Sequence, residues 1–458
     1  MNRERAETDL RLLAEAELRR AMKMPVGSIS GRWNSAVLVL VAQALSAAGA
    51  VGADVADKIQ ADVGLAIAVR LDLGIAARRR LFAPCLGPRR TRPASQRASW
   101  RVVPVGQVIK IPNDDLRRDL LLVAYVQSAA GARFIVAGQP FRPLSAADDR
   151  GVSYQIGWSG GHAAGGLVLR PDPPHQIRWL DLTMAASEPA TRIELDPQIT
   201  VPDVTVTQNA HSPGELLLDV IAARILATVA PFSQNNPGQL TAVRADVRTF
   251  IADGSGHMVA ALHAAGMLPP DSPAPGYLAG LCARLGLNGH GITAPPAGDL
   301  PERWQSMLTA PSRSEPQPPP APDILAAAVA ELPELDGAKI AVVGLHHGER
   351  GTIMHLLASG ITLEDDWAYA KGVRPLPVLW IRDSDGRWHA TCADGVMPWG
   401  NTGVVMVFLR IVPPLDRGTA WIDIAAAGRS AEVRATLPLR GVLTVDVTVG
   451  HSPILTAA

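Results

Sequence analysis

Apolar residues in this chain recur at two periods, one helical and one strand-like, and the chain passes through that alternation twice. Over Thr8–Met24, Leu10, Leu13, Leu18 and Met22 fall near one face, while Glu7/Arg11 and Glu15/Arg19 pair at i,i+4 outside it, which predicts an amphipathic helix closed by Pro25. Ser35–Ala53 is uncharged and reads as a buried helix, followed by a helix over Asp54–Val69. In the second half Glu215–Val229, Leu240–Ala252 and Tyr277–Leu285 have the helical period, and Asp323 is placed to cap a short helix over Ile324–Glu331.

Between these stretches the period falls to that of strands broken by Gly, Pro and Asp turns. The first set is Val102–Ile109, Leu120–Val126, Arg133–Ala137, Val152–Ile156, Gly166–Leu169, Ile177–Leu182, Thr191–Glu194 and Val204–Thr207. The second is Lys339–Gly344, Thr352–Leu357, Pro377–Ile381, Trp388–Thr391, Val404–Leu409, Ala420–Ile424, Glu432–Leu437 and Leu443–Val449. Many short strands with close turn signals predict an immunoglobulin-like antiparallel β-sandwich in each half, and strands never alternate with long helices as a Rossmann-type sheet requires.

Self-comparison turns this alternation into a duplication. Ala44-Leu45-Ser46-Ala47-Ala48-Gly49, with Asp54 beyond, matches Ala261-Leu262-His263-Ala264-Ala265-Gly266, with Asp271 beyond; both read as a helix stopped by a C-terminal glycine. Leu167–Leu182 pairs with Val407–Ile424 by setting Leu169-Arg170, Pro173-Pro174 and Trp179 against Leu409-Arg410, Pro413-Pro414 and Trp421, with a two-residue insertion in the turn. Leu121–Gly138 matches Ala341–Gly360 as strand, turn, strand, and Trp179 and Trp421 are expected to fill equivalent core positions.

The fold expected is therefore α+β and multidomain: a tandem duplication of a small helical module followed by an immunoglobulin-like antiparallel β-sandwich. The divisions are 1–77 (helical), 78–101 (Arg-rich linker), 102–208 (sandwich), 213–308 (helical), 309–322 (Pro-rich linker) and 323–458 (sandwich with a leading helix). A length of 458 residues suits several such domains.

Composition narrows the function classes. Lys plus Arg and Asp plus Glu are equal at 43 each, so no global field selects nucleic acid or anionic membrane. Three scattered cysteines, Cys85, Cys282 and Cys392, form neither a disulfide framework nor a zinc pattern, and the N-terminal residues lack the apolar core of a signal peptide. A cytoplasmic protein is expected. The uncharged stretch Ser35–Ala53 raises a membrane span, but its counterpart carries Asp253 and His263, so no span is expected.

Candidate chemistry is local. Gly157-Trp158-Ser159-Gly160-Gly161 fits a nucleophile elbow, with His162 adjacent, yet the elbow needs a helix next and a strand follows, leaving Ser159 a weak catalytic candidate. His346, His347, Glu349 and His355 are the best metal-ligand cluster by type, but neighbours on a strand face opposite ways, and a surface turn with no metal is the reading. Asp148-Asp149-Arg150-Gly151 and Asp383-Ser384-Asp385-Gly386 read as hairpin turns rather than calcium loops. Arg78, Arg79, Arg80, Arg89, Arg90, Arg92, Arg97 and Arg101 form an acid-free basic run that suits anion or nucleic-acid contact.

The segments TAWIDI, RDSDGRWH and DDRGVSYQIGWSGG resemble uncharacterised duplicated helical/β-sandwich proteins of high-GC bacteria. That resemblance brings no activity and no functional residue. The first expectation for function is a non-enzymatic protein-interaction or scaffolding protein without cofactors, because the two copies share no acid, base or nucleophile. The second is a regulatory protein touching nucleic acid through the Arg-rich linker, and the third a serine hydrolase using Ser159.

Overall fold

A computed structural model describes residues 1–23, 32–59, 62, 100–109, 120–128, 131–137, 144–160, 164–173, 177–183, 190–195, 203–208, 210–235, 254–287, 300–309, 323–326, 330–335, 338–348, 351–359, 378–398, 404–428 and 431–439. Six of its helices are α1 (Arg3–Lys23), α2 (Arg32–Ala47), α3 (Pro213–Asn235), α4 (Ser255–Ala264), α5 (Ala274–Arg284) and α6 (Glu302–Thr309). A further helical segment covers 53–59. The predicted helix Leu240–Ala252 and strand Leu443–Val449 lie outside the described residues.

The glycine stops are built as the sequence implies. Gly49 and Gly266 have φ of 67° and 69°, a region costly for residues with a Cβ. At the first, the Gly49 N–H donates to Ser46 O and Ala50 N–H to Leu45 O; at the second, Gly266 N–H donates to His263 O and Met267 N–H to Leu262 O. These are the paired bonds of a Schellman end. Helices on either side of the first sheet in sequence share one apolar core: Leu10, Leu13, Leu38 and Leu45 pack with Leu218, Ile221, Met258, Leu262 and Leu281.

The strands form two antiparallel sheets. The first contains β1 (Trp100–Ile109), β2 (Leu120–Ser128), β3 (Gly131–Ala137), β4 (Leu144–Asp148), β5 (Ser153–Gly160), β6 (Ala164–Arg170), β7 (Trp179–Thr183) and β8 (Thr191–Glu194). Its order is β1-β2-β3-β6-β5-β4-β7-β8. The second contains β10 (Asp323–Ala326), β11 (Ala330–Leu335), β12 (Ala338–Gly348), β13 (Gly351–Ser359), β14 (Val378–Asp383), β15 (Trp388–Pro398), β16 (Val405–Val412), β17 (Trp421–Ala427) and β18 (Ala431–Pro438). Strand β9 (Asp203–Gln208) follows the first sheet in sequence but pairs with β18 of the second. The second order is β10-β12-β13-β16-β15-β14-β17-β18-β9, with β11 also on β12.

The two orders are the same from β2 to β8 and from β12 to β18. Each set is one hydrogen-bonded path, where an immunoglobulin-like sandwich has two facing sheets. The path curls until its ends approach, nearly closing a barrel: Arg101 Nη2 of β1 donates to Leu195 O just past β8 at 3.4 Å, and β11 lies against β18. Inside the first are Leu122, Tyr125, Phe134, Tyr154 and Leu169; inside the second are Val342, Leu345, Met354, Ile381 and Ile411.

Three expectations change. Among the described residues the leading helix over Ile324–Glu331 is replaced by β10 and β11: Ile324 pairs with His346, and Ala330 and Glu331 pair with Val342 and Ala341; pairing overrides local helix preference. Trp179 and Trp421 are only half-buried, on the outward side of β7 and β17, while Leu180 and Ile422 take the core. Arg192 stacks on Trp179 at 3.7 Å. Finally, the pairings Gln155↔Arg170 and Ala390↔Val412 make Arg170 the equivalent of Val412. Pro171 then matches Pro413, each after a cis peptide bond, and both tryptophans follow at the same distance, so no insertion is needed.

Candidate functional site

Polar side chains gather inside each sheet, at the β4–β5 hairpin of the first and the β14–β15 hairpin of the second. Asp148 Oδ1 accepts the backbone N–H of Arg150 (2.9 Å) and Val152 (2.8 Å), and Tyr154 Oη donates to its Oδ2 at 2.6 Å. Asp383 repeats this with Asp385 N–H (3.0 Å) and Arg387 N–H (2.8 Å), and its Oδ2 meets His389 Nε2 at 3.2 Å. Gly151 and Gly386, at φ 76° and 81°, complete the two turns. Burial raises both carboxyls, but hydrogen bonds outweigh it, from Tyr154 for Asp148 and from His389 for Asp383, and hold them below the usual range. The other His389 nitrogen, Nδ1, faces Pro413 O at 2.7 Å, so one proton is shared between Asp383 and His389. The sequence reading of both segments as turns agrees with this geometry.

The histidine cluster is not a surface turn. His346, His347 and His355 are all buried, on β12 and β13. His347 points into the second sheet, where its Nδ1 lies 3.0 Å from Thr352 Oγ1. His346 and His355 share the outer face, and their rings meet with Nδ1 of His346 2.7 Å from Nε2 of His355. His355 also stands edge-on to Phe408, with centroids 5.4 Å apart. What buries this outer face is the first sheet: Val102, Val123, Ala124, Val126 and Ile135 pack against Ala341, Val343, Ile353, Leu357, Met406 and Phe408. Strand alternation separated the histidines correctly, but a face covered by a second sheet leaves no local signature in the sequence.

A third cluster joins helices to the second sheet. Asp219 of α3 is fully buried and accepts Trp304 Nε1 of α6 and Trp380 Nε1 of β14, each at 2.8 Å. Arg303 Nη2 approaches it at 3.1 Å. Burial pushes this carboxyl up; Arg303 and the two indoles oppose that shift. All three partners only donate, so the site suits an ionised Asp219. No sequence signal marked it, because Asp219, the Arg303-Trp304 pair and Trp380 are far apart in the chain.

The remaining candidates disperse. Ser159 lies on β5 opposite Gly166 of β6, within a strand hairpin. Arg78, Arg79, Arg80, Arg89, Arg90 and Arg92, like His162 and Glu349, lie outside the described residues. Cys282 is buried in the helical core, and burial pushes its thiol up to about 12. Among the described residues no group of three or more His, Cys, Asp or Glu side chains is placed to hold a metal ion, and no helix is long and apolar enough to cross a membrane. Comparison with protein-family models, curated proteins and solved structures gives no match to this chain.

One surface stands apart. Every residue of β9 is exposed, although the strand is paired along one edge to β18. Val204 and Val206 lie opposite Ala435 and Val433, on the face that is core elsewhere in the sheet, yet they are 36% and 59% exposed. The sheet's apolar face therefore continues past the curled wall onto an uncovered strand.

Proposed function

We propose that the chain is a non-enzymatic protein-binding scaffold, a duplicated helix-plus-sheet unit, whose docking element is β9. The observation that carries this reading is a strand with both faces exposed and, among the described strands, a neighbour on one edge only. Such an edge takes an extended segment of a partner protein as a further strand, with backbone hydrogen bonds supplying affinity and Val204 and Val206 supplying apolar contact. The ionisable groups buried at the two hairpins and at Asp219 are engaged with one another, an arrangement that suits structural roles better than reactive ones.

Duplication is supported by the shared strand order, the twin Asp–Gly turns and the twin glycine helix stops. Asp203-Val204-Thr205-Val206 of β9 also recurs as Asp446-Val447-Thr448-Val449 near the end of the second copy.

The test is capture of tagged full-length chain from native lysate, washed at low and high salt, beside a V204K/V206K variant. Both valines are exposed, so the variant is expected to fold. A protein retained through high salt by the parent and lost by the variant supports the edge. Retention unchanged in the variant removes β9 from the account, and nucleic acid held only at low salt transfers the weight to Arg78–Arg101.

A further inference from the structure

We propose that the seam between the two sheets is an acid-releasable joint, opened by proton uptake on the buried His346–His355 pair. The sheets meet through equivalent strands. The β2 register shifts at Val123 and the β12 register at Val343, and both of these bulged residues enter the seam. Counting from the β2–β3 and β12–β13 turns, Val126 corresponds to His346 and Ile135 to His355. One half of the seam is thus apolar where the other carries two imidazoles.

The contact between the rings holds only one proton. A neutral pair satisfies it, with one ring donating and the other accepting across 2.7 Å. A charged His355 carries a hydrogen on both ring nitrogens, and its Nδ1 is buried with no partner among the described residues. The surroundings offer such a charge little. Arg133 of β3 reaches across the seam to Met406 Sδ at 3.8 Å, and Arg410 of β16 lies opposite Ile353 on the same face. Lys339 of β12 stands 4.7 Å over Trp100 of β1 and pairs with Glu331 of β11 at 3.4 Å, at the rim. Arg101 of β1 is turned to Leu195 O. His347 adds a like charge when protonated, and Asp323 of β10 stands opposite His347 in the register.

Burial, reinforced by the neighbouring histidines, pulls His346 down to about 3 and His355 well below its ordinary value. Opening the seam returns both rings to water and to about 6.5. The closed seam therefore has its full stability above that pH and loses it as pH falls. The opening equilibrium rises up to about tenfold per pH unit for each ring. This inference is independent of any partner at β9.

The experiment is small-angle X-ray scattering on the full chain from pH 7.5 to 4.5, with far-ultraviolet circular dichroism on the same samples. An H346V/H355I variant, which copies the equivalent residues of the first sheet, is run alongside. Expansion of the parent below about pH 6 with its dichroism retained, absent from the variant, is the expected result. No expansion, equal expansion in the variant, or expansion only together with loss of dichroism overturns the joint. Should the variant not fold at pH 7.5, exchange of the imidazole C2 hydrogens in the parent, read by mass spectrometry, decides instead: exchange at His346 and His355 must accelerate below about pH 6, and protection throughout refutes the proposal.

Discussion

Removing the Asp219 carboxylate should loosen the helical core from the second sheet more than any other single change at that junction. In Asp219→Leu, two buried indole N–H groups at Trp304 and Trp380 lose their only observed acceptor. Each orphaned donor costs about 1–3 kcal/mol. Arg303 loses a partner too, but it is 15% exposed and has Glu432 at 4.0 Å, so part of its charge can turn to water. The full cost of a stranded buried ion, about 3–5 kcal/mol, therefore does not apply to it. The expected loss is about 4 kcal/mol for Asp219→Leu and about 2 kcal/mol for Asp219→Asn, which keeps one acceptor while placing an NH2 against the other indole. Urea unfolding at pH 7.5 reads this, followed by near-ultraviolet dichroism for the tryptophans and far-ultraviolet dichroism for the whole. Combining Asp219→Leu with Arg303→Met should cost less than the sum of the two, by about 1–2 kcal/mol. If Asp219→Asn shifts stability by under about 0.5 kcal/mol, the carboxylate is not what the indoles depend on, and the reasoning fails.

Three further outcomes follow from other parts of the fold. Gly49→Ala and Gly266→Ala meet no steric obstacle, since nothing lies within 4 Å of an added Cβ, so each should cost about 1 kcal/mol through its positive φ alone; an unchanged urea midpoint would remove the left-handed stop from the account. Asp383→Asn should cost about 1–2 kcal/mol at pH 7 and progressively less as pH falls below about 4. The folded carboxyl is held below its ordinary value, so its stabilisation is present above about pH 4 and disappears as pH falls, and a pH-independent cost in the same titration would contradict this. Asp148→Phe should be worse than Asp148→Asn, because it also strands Tyr154 Oη inside the first sheet; equal urea midpoints would show that the hydroxyl finds another acceptor.

Local features of this fold were legible in the chain because local energetics fix them. A glycine after an alanine-rich helix, as at Gly49 and Gly266, leaves the backbone few ways to continue, and both helices end there. Asp-rich turns before Gly151 and Gly386 read correctly for the same reason: an aspartate that accepts its own downstream N–H groups makes a turn wherever it sits. Strand alternation placed His346 and His347 on opposite faces, as found, and Leu121–Gly138 and Ala341–Gly360, each read as strand, turn, strand, contain the paired strands β2–β3 and β12–β13.

What the chain alone left open were the properties that depend on what covers a surface. Whether the outer face of β12 meets water or another sheet decides if His346 and His355 are a surface turn or a buried pair, and no residue near them encodes the answer. Asp323–Ala326 became a strand because it pairs with β12, which outweighs local helix preference. Trp179 and Trp421 looked like core by size, yet their place on the pleat put them outside. Asp219 drew its three partners from two distant stretches of chain, so the site existed only once α3, α6 and β14 had packed together. The sequence by itself determined the turns, the glycine helix stops and the positions of many strands; tertiary structure decided strand order, burial and partnership, because pairing and solvent exclusion belong to the packed assembly and not to any one segment.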